Sequence, residues 1–341
     1  MSKTSIERYN FDFDESLIAQ YPAEKRDESR LLIVDRKEQR LLDKKFKDII
    51  DFFDENMFLV VNNTKVLNAR FYAKKESGKT VELFLLEQID DKRFKALLGG
   101  KWKKEGYLYI ENYKIFVSSR DDEGLVYVDF LENDPFQMME RYGHVPLPPY
   151  IKREDKEIDK ERYNTVFSKK VGSVAAPAAG LHFTDELFDA LRKKGVEIFE
   201  ITLNVGLGTF RPVKSEYIED HKMHKESYSI DKSVAERINF LKLQGKKLVA
   251  VGTTVVRALE SSTNNDGKLM PAENAYTDLF IKEGYKFKMV DMLITNFHLP
   301  KSTLFILVCA FGGYDLMKKA YRYAVESRFR FFSYGDAMFI M

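Results

Sequence analysis

Cysteine is almost absent. Cys309 stands alone among 341 residues, which excludes an internal disulfide, and its setting in LFILVCAF is that of a core side chain rather than a nucleophile. Long apolar runs are missing too. No stretch approaches the roughly 20 positions of a membrane helix, and the opening MSKTSIERYNFDFDES holds no apolar signal region, so a cytoplasmic protein with no membrane partner is expected. Charge of one sign is scarce: the net charge of +2 permits a nucleic-acid partner but does not predict one. There is no cysteine cluster and no HExxH, so no metal is expected. What remains, at 44% hydrophobic and 32% charged residues, is an ordinary globular chain long enough for about two domains.

The order of elements divides that length. LLIVDR (Leu31 to Arg36) and MFLVVNN (Met57 to Asn63) read as strands, with a short helix between them near Phe46 to Asp54. From about Asn62 to Gly143, aromatic and β-branched runs such as TVELFLLEQ, YLYIENYKIFVSS and GLVYVDF alternate with turn signals, the pattern of a small all-β barrel or sandwich. Three prolines make HVPLPPY (His144 to Tyr150) a connector without regular structure. Beyond it helix and strand alternate: a helix capped by Thr184 and stopped at Gly195, the strand VEIFEITL, the helix SVAERINFLKLQG, the strand KLVAV, and a new helix in GTTVVRALESS. The expected fold class is α/β: a mixed α/β body over 1–60 and 148–341, interrupted by an inserted all-β, barrel-like domain over 61–147.

Chemistry-bearing residues are concentrated in the body. The run from Ser173 to Gly180 has almost no side-chain bulk, and His182 and Thr184 follow it at once. Such a run suits either a ligand wall or a tight loop where two backbones cross. In KLVAVGTTVVRALESS a buried strand ends at Gly252, and Thr253 and Thr254 stand where the next helix begins, with Arg257 one turn on. That is a place for an anionic or polar ligand group, or simply a well-capped helix. It is neither GxGxxG nor a P-loop. Asn296 and His298 interrupt the apolar segment VDMLITNFHLPKSTLFILVCAFGG, at a strand end where ligands of α/β domains bind or where an amide satisfies backbone groups. His221 and His224 share HKMHKES and read as structural or substrate-contacting rather than as metal ligands. Lys101, Lys103 and Lys104 flank Trp102; such a cluster is either a solvated face or an RNA contact.

The blocks HVPLPPYI, GSVAAPAAGLHFT, NVGLGTFRPV, HKMHKE, AVGTTVVRALES, TDLFI, LITNFHLPKSTL and RFFSYGDAM, with FDFDESLIAQYPAEKRDESRLL and VVNNTKVLNARF, lie in one consistent order from about residue 11 to 340. Together they resemble the S-adenosylmethionine:tRNA ribosyltransferase-isomerase family. The resemblance implies transfer and isomerisation of the ribosyl moiety of S-adenosylmethionine onto 7-aminomethyl-7-deazaguanine at the tRNA wobble position, with adenine and methionine released. It implies no cofactor, since S-adenosylmethionine is consumed as a substrate, and it implies an α/β body interrupted by a β-rich domain. On this basis His182 and Thr184 are candidate proton-transfer and orienting groups. Thr253, Thr254, Arg257, Arg211, Asn296 and His298 are candidate contacts for S-adenosylmethionine, and Lys65, Arg70, Lys101, Lys103 and Lys104 for tRNA phosphates. A monomer is expected, because no coiled-coil pattern is visible. The chain departs from the family's usual pattern at Asn63 (Asp is usual), Lys65 (Arg), Asn68 (Pro), Ala178 (Thr) and Asn204 (His).

Overall fold

Met57–Asn62 and Lys247–Val251 are apolar almost throughout and buried on both faces, as strands in the middle of a covered sheet must be. Alternate residues feed two cores: Phe58, Val60, Leu248 and Ala250 point into one, Leu59, Val61, Val249 and Val251 into the other. The computed structural model describes residues 3–206 and 213–341. In it these strands lie within a nine-stranded sheet ordered Ala272–Thr277, Glu226–Ile230, Glu197–Leu203, Met57–Asn62, Lys247–Val251, Met292–Asn296, Ala337–Ile340, Arg30–Asp35, Arg40–Lys45. The four strands Glu197–Leu203, Met57–Asn62, Lys247–Val251 and Met292–Asn296 run parallel. Ala337–Ile340 runs against them and parallel to Arg30–Asp35. Helices Lys232–Leu243, Thr253–Ser262, Thr303–Gly312 and Tyr314–Glu326 cover one face. Asp185–Lys193 and the 3-10 helix Phe46–Phe52 cover the other.

The expected barrel is present and closed. Its six strands are ordered Val126–Asp129, Arg93–Leu98, Thr80–Gln88, Arg70–Lys75, Gly106–Ile110, Tyr113–Val117, around a core that includes Phe71, Leu83, Ile115 and Phe130. The sequence reading omitted the helix Pro135–Tyr142, which buries Met138 and Met139 against the barrel. Its start is conventional: the Asp134 carboxylate accepts from Phe136 N (2.8 Å) and Gln137 N (3.2 Å), and proline occupies the first helical position. Entry and exit of the barrel lie side by side. Arg70 N donates to His144 O (3.2 Å) and His144 N to Arg70 O (2.7 Å).

Strand direction places the site. The four parallel strands end at Leu203, Asn62, Val251 and Asn296, along one edge of the sheet. Ala337 lies opposite Asn296 and beside Leu31, so the loop before Ala337 and the residue Ser29 reach the same edge. In open α/β sheets ligands lie in the crevice outside these carboxyl ends.

Candidate active site

At that edge the backbone is bent by glycine. Gly252 (φ +96°) carries the chain from Val251 into the helix Thr253–Ser262, a conformation that costs other residues far more. The turn brings Thr253 and Thr254 to the wall of a cavity shared with Ala175 to Ala179, Thr295, Asn296 and His298. The small-residue run is therefore a cavity wall rather than a crossing of two backbones. Tyr150 and Phe332 line the same cavity, stacked with centroids 4.6 Å apart and planes at 28°. Tyr150 Oη and Ser333 Oγ share a 2.6 Å hydrogen bond, and Phe332 holds φ +71°, a strained setting for a bulky side chain. Burial pushes the Tyr150 phenol far above its ordinary range, so it stays neutral.

The polar groups of the wall are fixed from behind. Asn62 Nδ2 donates to Leu203 O (2.9 Å) and, at 3.4 Å, to Thr254 Oγ1. Asn296 Nδ2 donates to Phe332 O (2.8 Å), which leaves its buried Oδ1 without a partner. His298 Nε2 lies 2.8 Å from Thr295 Oγ1, and its backbone N–H donates to Tyr321 Oη (3.1 Å). Burial pushes the His298 imidazole down to about 3, so it is neutral near pH 7.

His182 does not line this cavity. The 3-10 turn Ala178–His182 carries it one layer behind, to a smaller adjoining cavity, and Ser333 borders both spaces. Its ring stacks on Phe46 (5.0 Å, 27°) and its Nδ1 lies 2.7 Å from Ser29 Oγ. Burial, first, pushes it down to about 4; Asp336 and Asn296 oppose that shift, and Arg330 adds to it. Nε2 is buried without a hydrogen bond. An Nε2–H tautomer would find its acceptor in the free Asn296 Oδ1, with the Ser29 hydroxyl then donating to Nδ1. Thr184 lines neither cavity. Its hydroxyl accepts from Leu187 N (3.2 Å) and starts the helix Asp185–Lys193, so a substrate-orienting role does not fit its position.

Arg257 also turns away from the main cavity. Its guanidinium is closed onto the Glu226 carboxylate in a buried ion pair and donates to Leu279 O (3.2 Å) and Thr277 O (3.4 Å). Pair, His221 and His224 border a third small cavity, joined to the first along Leu304. No group of three or more potential metal ligands occurs among the described residues. Arg211 lies outside the described residues.

The remaining basic residues divide. Lys65 is exposed on the short strand Thr64–Val66, and Lys101, Lys103 and Lys104 are exposed in the loop between two barrel strands. That loop is anchored: Trp102 Nε1 donates to Ser118 O (2.9 Å) and the Lys75 ammonium sits 5.2 Å from the ring centre. Arg70 is occupied internally, pairing with Glu82 (3.0 Å) and donating to Leu147 O (3.0 Å), so it ties the barrel to the proline-rich connector. It does not present a free guanidinium to phosphate. Sequence reasoning passed over Tyr150, Phe332, Ser333 and Ser29 as site residues, although HVPLPPYI and RFFSYGDAM contain three of them.

A family model described as "Queuosine biosynthesis protein" matches residues 6–340. The chain belongs to this family. It is 46% identical over 339 residues to the S-adenosylmethionine:tRNA ribosyltransferase-isomerase of Aquifex aeolicus, covering 98% of this chain and 99% of the relative. It is 48% identical over 338 residues to the protein of that name from a Sulfurihydrogenibium species, covering 98% of each. A crystal structure of S-adenosylmethionine tRNA ribosyltransferase from Thermotoga maritima superposes with a TM-score of 0.55 at 34% identity, covering 98% of this chain and 100% of that one. Two of the departures from the usual pattern of the queuosine biosynthesis family, Asn63 and Asn204, have side-chain hydrogen bonds. Asn63 donates to Glu200 (3.1 Å) and accepts from Thr202 Oγ1 (2.7 Å), while Asn204 accepts from Thr64 Oγ1 (3.0 Å) and donates to Ser227 Oγ (3.1 Å). Each amide both donates and accepts, and a carboxamide does not titrate, which fits positioning better than proton transfer.

Proposed function

We infer that this chain is an S-adenosylmethionine:tRNA ribosyltransferase-isomerase. It moves the ribosyl group of S-adenosylmethionine onto 7-aminomethyl-7-deazaguanine at the wobble position of tRNA, gives epoxyqueuosine, and releases adenine and methionine. S-adenosylmethionine is a consumed substrate, so no cofactor is required. The observation that carries this reading is the cavity at the carboxyl ends of the parallel strands, lined by small residues and by a stacked aromatic pair, in a chain matched end to end by that family.

The chemistry needs three things from the protein. The sulfonium acidifies the neighbouring C5′–H, and a base removes that proton. Adenine then leaves, helped by a proton donor; the substrate amine attacks, and methionine departs as the epoxide closes. Water must stay out while the sugar is open. The Tyr150–Phe332 stack suits a flat purine, and the alanine wall admits the ribose closely. Proton transfer falls to His182, reached through Asn296 and Ser333. Its Nε2 has only the Asn296 amide oxygen to turn to, whereas His298 Nε2 is held by Thr295. An imidazole with so low a pKa is a weak base but, once protonated, a strong acid, suited to returning the proton to departing adenine. Lys65 and the Lys101, Lys103 and Lys104 loop receive the tRNA backbone, one tRNA to a monomer.

Product analysis by liquid chromatography and mass spectrometry tests the reading. Purified protein, S-adenosylmethionine and tRNA carrying 7-aminomethyl-7-deazaguanine should yield free adenine, free methionine and epoxyqueuosine. S-adenosylhomocysteine without adenine would make the protein a methyltransferase instead.

A further inference from the structure

Two half-buried guanidiniums, Arg26 and Arg162, border the small cavity that holds His182, Ser29, Ser333 and Tyr334. Neither forms an ion pair among the described residues. Arg26 donates to Leu181 O (3.1 Å) and Glu161 O (3.1 Å), and Arg162 to Glu24 O (3.0 Å) and Ala23 O (2.8 Å). Carbonyls satisfy N–H groups but do not neutralise charge. Burial, followed by the repulsion of Arg162, lowers the Arg26 pKa, with Glu161, Tyr334 and Asp185 opposing; burial lowers that of Arg162, with Tyr334 and Glu161 opposing. Two polar atoms here lack partners as well: Arg162 Nε and, in a side chain more than nine-tenths buried, His182 Nε2. The polar groove between barrel and body is different, because Glu111, Asp155 and Glu157 balance its Arg141, Lys156 and Lys160.

A pair of half-buried cations with no ion-pair partner is unfavourable in the empty protein and becomes favourable once an anion arrives. We propose that Arg26 and Arg162 form an oxyanion subsite that receives a substrate group while the reacting ribose occupies the neighbouring cavity. The inference rests on the assignment of S-adenosylmethionine and tRNA as substrates, each of which brings an oxyanion: a backbone phosphodiester or the methionine carboxylate. The arginines are half-exposed, and Ser333 borders both their cavity and the reaction cavity.

Arg26→Gln and Arg162→Gln, with Arg26→Lys and Arg162→Lys beside them, distinguish the two. Product formation by the unaltered protein is measured first, because its failure would overturn the substrate assignment and not the subsite. If the subsite holds a phosphodiester, each Gln variant weakens tRNA binding about tenfold and flattens the slope of log Kd against log salt by roughly 0.7 to 0.9, with KM for S-adenosylmethionine unmoved. If it holds the carboxylate, that KM rises about tenfold and the tRNA slope stays. The Lys variants keep the charge but lose the planar fork, so they weaken the same substrate while leaving the salt slope intact. Variants that lose thermal stability yet keep both affinities and the slope would overturn the proposal and leave the arginines as backbone staples.

Discussion

Tyr150 and Phe332 stack on one another in the lining of the cavity, and the residue that completes the stack, Phe332, sits in a left-handed backbone conformation. The pair joins the proline-rich connector to the loop before the last strand, so two segments remote in sequence together make one aromatic wall. Replacing Tyr150 by Leu should raise KM for S-adenosylmethionine roughly tenfold. Tyr150→Phe keeps the ring and removes the hydroxyl that bonds Ser333, so its effect should be about fivefold or less. Steady-state kinetics of both variants separate stacking from hydrogen bonding.

His182→Asn should lower turnover about 100-fold or more if the imidazole moves a proton in the slow step. His298→Asn should act mainly on KM. Near-normal turnover in a folded His182 variant would remove the residue from the mechanism.

The same burial makes stability depend on pH. An unfolded chain protonates His182 below its ordinary value near 6.5, whereas the folded protein refuses that proton until about pH 4. Stability should therefore hold as pH falls toward 6.5 and then decline, by up to about 1.4 kcal/mol per pH unit from this group, until about 4. His298 adds a decline of the same sign. Urea unfolding across this range should show a shallower slope in His182→Asn.

Arg257→Met takes the guanidinium from the buried Glu226 carboxylate and should cost about 3–5 kcal/mol. The double variant Arg257→Met with Glu226→Gln should recover much of that loss. A double-mutant cycle by chemical denaturation measures the coupling.

Replacing Lys101, Lys103 and Lys104 together by Ala should flatten the salt dependence of tRNA binding by roughly 0.7 for each phosphate that these lysines neutralise. KM for S-adenosylmethionine should not move. An unchanged salt slope would take the loop out of the tRNA interface.

Much of the architecture was legible because burial patterns are local. A short, β-branched apolar run such as MFLVVNN reads as a covered strand, and the closely spaced aromatic runs after Asn62 read as a compact β module, as the structure has them. The small helix Pro135–Tyr142 escaped notice because DPFQMMERY is too short for a helical period to stand out. At the site, Thr253, Thr254, Asn296 and His298 were visible as polar residues at the ends of apolar strands, and they converge. Thr184, picked for following the small-residue run, and Arg257, picked for lying one turn into the helix after Gly252, do not line that cavity. Sequence gives the residue but not its orientation: a threonine that caps a helix and an arginine that meets a buried glutamate look like binding groups until their partners are known. Ser29 and Ser333 were the opposite case, since only the register of the first and last strands brings them to the same edge.

Because Arg70 and His144 exchange backbone hydrogen bonds at the neck of the barrel, the two cut ends left by excising it would lie no farther apart than neighbouring strands, about 5 Å. A tight turn of a few residues spans that gap. The molecule is in this sense built with a detachable part: a chain shortened there would give up the barrel and, with it, the lysine loop proposed for tRNA, while retaining the residues of the nine-stranded sheet.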